Sequence, residues 1–505
     1  MPSYQWMDTT VLRETPGIRS RCNEAYISAG LKERFPGEKI EIESVQINST
    51  GCYDNPAHGG AVKLEGLPEY CEISLIHYEQ GNRPAKVTVW VPLAWNERFI
   101  GTGGGGIQTG GVEHITLPDR GMTVACAVIN GFASATSDAG NADNLWALIP
   151  ETGELNTDAL ENWYKLGTHW MTLLGKACTA ILHGKEPLYA YYHGGSGGGR
   201  QGMVEAQEYP EDYDGIWASF PAINWAHCVH CELWPIAVMN EYGNILRPCK
   251  LDAFRDVLHK SVGGSERFYK TMEAVSFDPA QIIGQETADG IITEADAKVM
   301  REIWDGPVDE NGNRLGHFFR PGCTFWSGDM QMPAAVVYIS MGSQNGFYYP
   351  MFTEYFAQWI LRQPGCSLSQ IRKEDYYAIH SKSVKTLAAY DASKADLSAF
   401  QNAGGKLIVD HGLEDYIIPP DGSIDYYSRV SDVVDNVRDF FRLFISPGFG
   451  HGDARFGLAP TEESGMTALM DWVERGVAPE MLSCVQTDAA GNVIRVGQIE
   501  AFQED

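Results

Sequence analysis

The chain has 505 residues, 44% of them hydrophobic, with 13 Trp and 23 Tyr and a formal net charge of -28. That length exceeds one minimal domain and suits a large domain carrying an insertion, or two domains. The acidity argues against nucleic acid and anionic membrane surfaces, which need clustered Lys and Arg, and no apolar run is long enough to span a bilayer; the expected partner is a small molecule.

Residues 1–8 (Met-Pro-Ser-Tyr-Gln-Trp-Met-Asp) have neither a basic n-region nor an apolar h-region. This predicts a chain that carries no secretory signal and stays in the cytoplasm. The eleven cysteines, an odd number, are then expected as free thiols. Residues 86–93 (Lys-Val-Thr-Val-Trp-Val-Pro-Leu) alternate as a strand does, and residues 98–106 step from a short apolar run into a glycine loop. Residues 122–129 read as another apolar, β-branched strand. Residues 155–182 have helical spacing and end near Gly184. An aromatic strand over 187–193 enters the next glycine cluster, a helix-compatible stretch follows, and 215–222 form a further short strand. Strands alternating with helices indicate a parallel α/β sheet. From 224 to 398 the composition shifts to Trp, Tyr, Met and Pro with longer helical stretches, and strand signals return at 406–410 and 441–446. The reading is a catalytic domain of residues 1–223 and 399–505, with a lid of residues 224–398 inserted over the sheet.

The glycine cluster is Gly194-Gly195-Ser196-Gly197-Gly198, a Gly-x-Ser-x-Gly between strand and helix. This is the context of a nucleophile elbow, whose turn is so sharp that the residues beside the serine carry almost no side chain. A serine hydroxyl is a poor nucleophile unaided, so a base and an acid to orient that base are required. Asp415 follows the strand ending at His411-Gly412, and His451 follows the strand ending near Ser446. The order Ser196, Asp415, His451 is that of α/β-hydrolases, and each residue follows a strand, so all three are expected at one sheet edge. Asp410 and Glu414 are the rival carboxylates, the first still inside the strand and the second in weaker context. For the oxyanion hole, the amide of Gly197 is one expected donor, and Gly104 or Gly105, in Gly101-Thr-Gly-Gly-Gly-Gly, is the other.

Together these residues resemble the tannase and feruloyl esterase family. The matching stretches include Trp95-Asn-Glu-Arg-Phe-Ile-Gly-Thr-Gly-Gly-Gly-Gly, Gly131-Phe-Ala-Ser-Ala-Thr-Ser-Asp-Ala-Gly, Ser196-Gly-Gly-Gly-Arg-Gln-Gly, Pro221-Ala-Ile-Asn-Trp, Gly405-Lys-Leu-Ile-Val-Asp-His-Gly, Pro447-Gly-Phe-Gly-His and Trp472-Val-Glu-Arg-Gly-Val-Ala-Pro. The resemblance implies an α/β-hydrolase core, a lid domain, and hydrolysis of carboxylic esters, often of aromatic acids, through an acyl-enzyme. It departs in three places. Members of the family usually join a Cys before the serine to a Cys after the histidine; here these positions are Gly195 and Gly452. The lid's calcium loop keeps Asp289 but lacks two earlier aspartates, so no metal and no cofactor are expected. The missing secretory signal points to an intracellular ester or lactone, such as one of secondary metabolism.

Other readings fit parts of the same sequence. The same triad serves an acyltransferase or cyclising enzyme when water is excluded, and a retired hydrolase serves as a binding protein. The glycine loop also satisfies Gly-x-Gly-x-x-Gly, but Ile107-Gln-Thr-Gly-Gly-Val-Glu-His is a poor helix start for a dinucleotide site. His227-Cys-Val-His-Cys231 lacks the second pair that a structural zinc site needs, leaving ordinary lid residues or a lone Cys-x-x-Cys redox pair. His411, Arg200 and Gln201 read as packing residues. Trp225, Trp234, Trp326 and Tyr348 are candidates for the wall of an aromatic acyl pocket, with Tyr242 and Tyr349 in the same lid set.

Overall fold

The computed structural model describes residues 5–55, 63–79, 82–116, 123–141, 146–263, 277–323, 325, 355–366, 370–452, 454–455, 457–488 and 490–503. Among these residues the core is a nine-stranded sheet. Its strands are β1 (Ile40–Asn48), β2 (Tyr70–Glu79), β3 (Arg83–Pro92), β4 (Arg98–Thr102), β5 (Ala133–Ser137), β6 (Tyr189–Gly195), β7 (Gly215–Ser219), β8 (Lys406–Gly412) and β9 (Phe441–Ser446). Their order across the sheet is β1-β2-β3-β5-β4-β6-β7-β8-β9. Strands β5 through β9 in that order run parallel, as expected from the strand–helix alternation. The first three do not: β1, β2 and β3 pair antiparallel, and β3 meets β5 antiparallel. Only residues 80–82 join β2 to β3, and so short a connection permits no parallel crossover.

The inner parallel strands are buried along nearly their whole length, whereas β1 at the edge alternates exposed and half-buried positions. That is the signature of a sheet covered by helices on both faces. Helix α1 (Gly167–His183) packs on one face so closely that a Cβ at Gly175 would lie 2.6 Å from the Phe99 ring. It ends where the sequence predicts, with Gly184 in the left-handed region at φ 76°. Helix α2 (Gly197–Glu208) springs directly from the end of β6. On the other face, α3 (Glu462–Arg475) buries Met466, Leu469 and Trp472 against Ile100, Tyr191, Trp217, Ile408 and Phe444.

Residues 122–129 correct the sequence reading. Val124–Ile129 is a short helix whose N-cap, Thr123, accepts from the Cys126 amide, and the strand lies downstream at β5. A short, fully buried apolar run has no periodicity to separate helix from strand. Between β7 and β8, residues 220–405 supply no described strand to the large sheet; they hold helices Leu233–Tyr242, Pro248–Ser261, Glu294–Asp305 and Lys373–Leu387. The cysteine expectation also changes. Cys22 and Cys71 form a disulfide with a Cα–Cα distance of 6.1 Å, tying the N-terminal segment to β2, while the other nine cysteines are free.

Candidate active site

At the end of β6 the chain turns through Ser196 at φ 59° and ψ -120°, a conformation that side-chain-bearing residues rarely adopt. Such strain persists only where the surroundings impose it, and it concentrates at functional sites. Here the neighbours impose it. A Cβ at Gly197 would stand 2.2 Å from the Gly106 carbonyl oxygen, and one at Gly194 would stand 2.7 Å from the Gly198 carbonyl carbon. The Ser196 amide donates to the Ser219 carbonyl at 3.0 Å, and the Ser196 carbonyl accepts from the Ala222 amide at 3.1 Å. The serine is therefore clamped by the end of β7 and the loop after it, with its hydroxyl left over for chemistry.

The two distant candidates converge on it. The Ser196 hydroxyl donates to His451 Nε2 at 3.0 Å, and His451 Nδ1 donates to Asp415 Oδ2 at 2.8 Å. Asp415 Oδ1 accepts from the amides of Ile417 and Ile418, both at 2.8 Å, which locks the carboxylate. Burial by itself would favour the protonated Asp415 carboxyl; the His451 charge and the donors from His411 and His451 outweigh it and hold the group well below the usual carboxylate range. Of the rival carboxylates, Asp410 is indeed inside β8. It accepts from Trp217 Nε1 at 2.7 Å and Ser219 Oγ at 2.6 Å, and burial pushes it up despite those two donors. Glu414 has its amide on the Phe449 carbonyl at 3.0 Å, fixing the loop that carries Asp415.

His411 does more than pack. Its Nε2 donates to Asp415 Oδ2 at 3.2 Å and to the Ile418 carbonyl at 3.0 Å, while Nδ1 accepts from Ser423 Oγ at 2.8 Å. Gln201 likewise reaches the glycine loop. Its Oε1 accepts from the Gly104 amide at 3.0 Å, and its Nε2 donates to the Thr109 carbonyl at 3.0 Å and to Thr168 Oγ1 at 2.7 Å. The Gly104 amide is thus engaged with a side chain, and of the two expected donors in that loop Gly105 is the one with no such engagement. Arg200 is a packing residue as read: it is buried, with its guanidinium 3.7 Å from the Trp163 ring centroid.

The family model described as tannase and feruloyl esterase matches residues 71–499. The chain belongs to that family. It is a carboxylic ester hydrolase. A probable feruloyl esterase of Arthroderma benhamiae is 32% identical over 446 residues, covering 84% of this chain and 80% of the relative. A probable feruloyl esterase B-2 of Aspergillus terreus is 25% identical over 487 residues, covering 88% and 85%. Among solved structures, an esterase from Aspergillus oryzae superposes with a TM-score of 0.76 at 21% identity, covering 96% of both chains. Tannin acyl hydrolase from Aspergillus niger gives 0.76 at 22% identity, covering 97% of this chain and 93% of that one. At these identities the structures speak to the fold alone, which is α/β-hydrolase-like as expected.

The aromatics of residues 224–398 divide differently from the expectation. Trp225 is buried edge-on against Trp163 and Tyr355, at 5.3 and 5.8 Å between ring centroids. Trp234 is buried too, its Nε1 donating to the Glu302 carbonyl at 3.0 Å. Both are core, because large rings gain most when desolvated on all sides. Trp326, Tyr348 and Tyr349 lie outside the described residues. Cys228 and Cys231 are free and buried, and Cys231 Sγ donates to the Ile417 carbonyl at 3.3 Å, so they form no redox bridge. The residues of the family's calcium loop do not fit the ion: the one retained carboxylate, Asp289, accepts from the Cys249 amide at 2.8 Å and faces the Arg247 guanidinium at 3.9 Å. Donor atoms of His169, Glu205 and Asp212 also lie within 4.8 Å of one another, at the far end of α2 from Ser196. There His169 Nδ1 is hydrogen-bonded to Asp212 Oδ2 at 2.6 Å, and the Lys176 ammonium donates to the Asp212 carbonyl at 2.7 Å.

Proposed function

We propose that the esterase hydrolyses an ester of an aromatic carboxylic acid through an acyl-enzyme on Ser196. The single observation that carries this reading is the unbroken Ser196–His451–Asp415 hydrogen-bond chain, at 3.0 and 2.8 Å. The Ser196 oxygen bonds to the substrate carbonyl carbon as its proton passes to His451 Nε2. The carbonyl oxygen takes the negative charge, facing the amides of Gly197 and Gly105 and the N-terminus of α2. Collapse breaks the bond to the alkoxide, which leaves with the His451 proton. Water then gives a proton to His451 and its oxygen to the acyl carbon, and the Ser196 oxygen departs and recovers that proton. Asp415 keeps the imidazole in the tautomer with hydrogen on Nδ1 and stabilises its charged form. The names of the relatives, feruloyl esterases, support the aromatic acyl group. Residues 224–398 act as the lid that shields the acyl-enzyme, supported by their place between β7 and β8, directly after the elbow's supporting strand.

The test uses methyl ferulate. Ser196→Ala is expected to lower kcat about 10⁶-fold while leaving the melting temperature within a few degrees. Residual activity near wild type would refute the reading. The product is expected to be the free acid; an ester of an added alcohol in its place would assign acyl transfer instead. For a cytosolic setting and an intracellular metabolite as substrate, the support is the nine free cysteines. The Cys22–Cys71 bond weighs the other way, because such bonds persist in oxidising compartments. Differential alkylation of the protein taken directly from its cells decides the point: a cytosolic enzyme shows both thiols reduced.

A further inference from the structure

The two loops that carry the nucleophile and the base each have a glycine beside the reacting residue, Gly195 before Ser196 and Gly452 after His451. Both glycines point at one object. A Cβ built on Gly195 would lie 2.8 Å from Cζ of Phe220, and one built on Gly452 would lie 3.7 Å from the same atom. The Phe220 ring therefore fills the gap between the elbow and the histidine loop. Its centroid is 4.8 Å from the His451 imidazole at an interplanar angle of 59°, and 6.0 Å from the Phe449 ring at 70°. The backbone that delivers the ring is itself constrained. Phe220 has φ 34°, a left-handed conformation that a phenylalanine does not choose unaided. Its amide donates to the Asp410 carbonyl at 2.6 Å, one residue beyond the Ser219 hydroxyl that Asp410 holds through its carboxylate. A ring added only to fill the core would be fully buried, yet Phe220 is partly exposed, with the base on one side and the nucleophile's neighbour on the other.

We propose that Phe220 is a positioning residue for the esterase reaction: its ring is the wedge that sets the approach of the His451 imidazole to Ser196. The inference rests on the assignment of His451 as the base. The ring acts through two contacts. It limits tilting of the imidazole about the bond that would swing Nε2 away from the hydroxyl, and it spaces the histidine loop from the elbow where glycines at both sides leave no side chain to do so. Catalysis by a hydrogen-bonded pair is sensitive to displacements on the order of 1 Å, which cost about 10²-fold. The loss therefore belongs in kcat rather than in substrate binding.

The experiment is a double-mutant cycle on methyl ferulate hydrolysis with Phe220→Ala, Gly195→Ala and the pair, together with Phe220→Leu. Phe220→Ala is expected to lower kcat by about 10- to 100-fold with KM changed less than about threefold, and Phe220→Leu, which keeps apolar volume in the gap, to retain more activity than Phe220→Ala. Gly195→Ala should also lower kcat, because its methyl group displaces the ring. In the Phe220→Ala background that second effect should vanish, since nothing is left to displace. Melting temperatures identify any variant that fails to fold; if Phe220→Ala does, Gly195→Ala against Phe220→Leu still tests the coupling. Independent, multiplying effects of the two substitutions, or an unchanged kcat in folded Phe220→Ala, would overturn the proposal. The outcome separates from that of the proposed mechanism: an active Ser196→Ala sinks the mechanism, whereas an inactive Ser196→Ala beside a normal Phe220→Ala sinks only the wedge.

Discussion

Asp415 shows how much one buried side chain is asked to do. It accepts from two amides and two imidazoles, and it remains ionised although its side chain is fully buried. Because its folded value is depressed, its contribution to stability is fully present above the ordinary carboxylate range and is lost only as pH falls through the folded value. The acid limb of a pH–rate profile therefore does not arise from Asp415. Asp415→Asn preserves shape but presents an amide where the imidazole needs an acceptor. It is expected to lower kcat about 10⁴-fold with little change in KM, measured by steady-state kinetics across pH 5–9. These three residues were legible in the sequence because each carries its chemistry locally: a glycine-flanked serine, and a carboxylate and a histidine just past strand ends. His411 was legible only as a packing residue, since its bond to Asp415 depends on how the loop 412–418 folds back. Phe220 left no signal of its own; the two glycines it fills gave the only hint, as missing volume.

Among the elements, α2 is the one that organises the site. Its first residue, Gly197, carries the amide proposed above as an oxyanion donor, and its fifth, Gln201, reaches back to the glycine loop after β4. In that proposal one side chain sets the distance between the two halves of the oxyanion hole. Gln201→Ala is expected to lower kcat by about 10- to 100-fold, less than removal of a direct donor, with the melting temperature tracked alongside. An unchanged kcat would show that the glycine loop holds its shape without that anchor. Sequence patterns identified β6, α1 and the strand pair β8 and β9, where periodicity and punctuation agree. They failed over 122–129, where six consecutive buried residues carry no period, and they left β1 and β2 unread; they placed β3 but not its antiparallel direction, which depends on the length of a turn rather than on composition. The choice between Gly104 and Gly105 was likewise open, because the backbone donors differ only in what a distant glutamine does.

At the scale of the whole molecule, the N-terminal segment is held to the sheet covalently. The Cys22–Cys71 bond closes a loop with a sequence separation of 49. Loop-closure entropy for that length puts its contribution at about 4 kcal/mol, so Cys22→Ser with Cys71→Ser is expected to lower the unfolding free energy by roughly 2–4 kcal/mol in urea titrations while leaving kcat unchanged. Loss of activity without loss of stability would contradict this, since the bond lies on β2, far across the sheet order from β6, β8 and β9. The pairing itself was beyond the sequence: with eleven cysteines spread along the chain, proximity is a property of the fold. The sheet order has a further consequence. It brings residues 196, 415 and 451 to one carboxyl edge because β6, β8 and β9 run parallel there. That convergence is the central claim, and a fluorophosphonate probe tests it most directly. Intact-mass and peptide mapping of the wild-type protein should find one adduct, on Ser196, and His451→Ala should abolish its rapid formation. An active enzyme that forms no adduct, or forms it on another residue, would contradict the account.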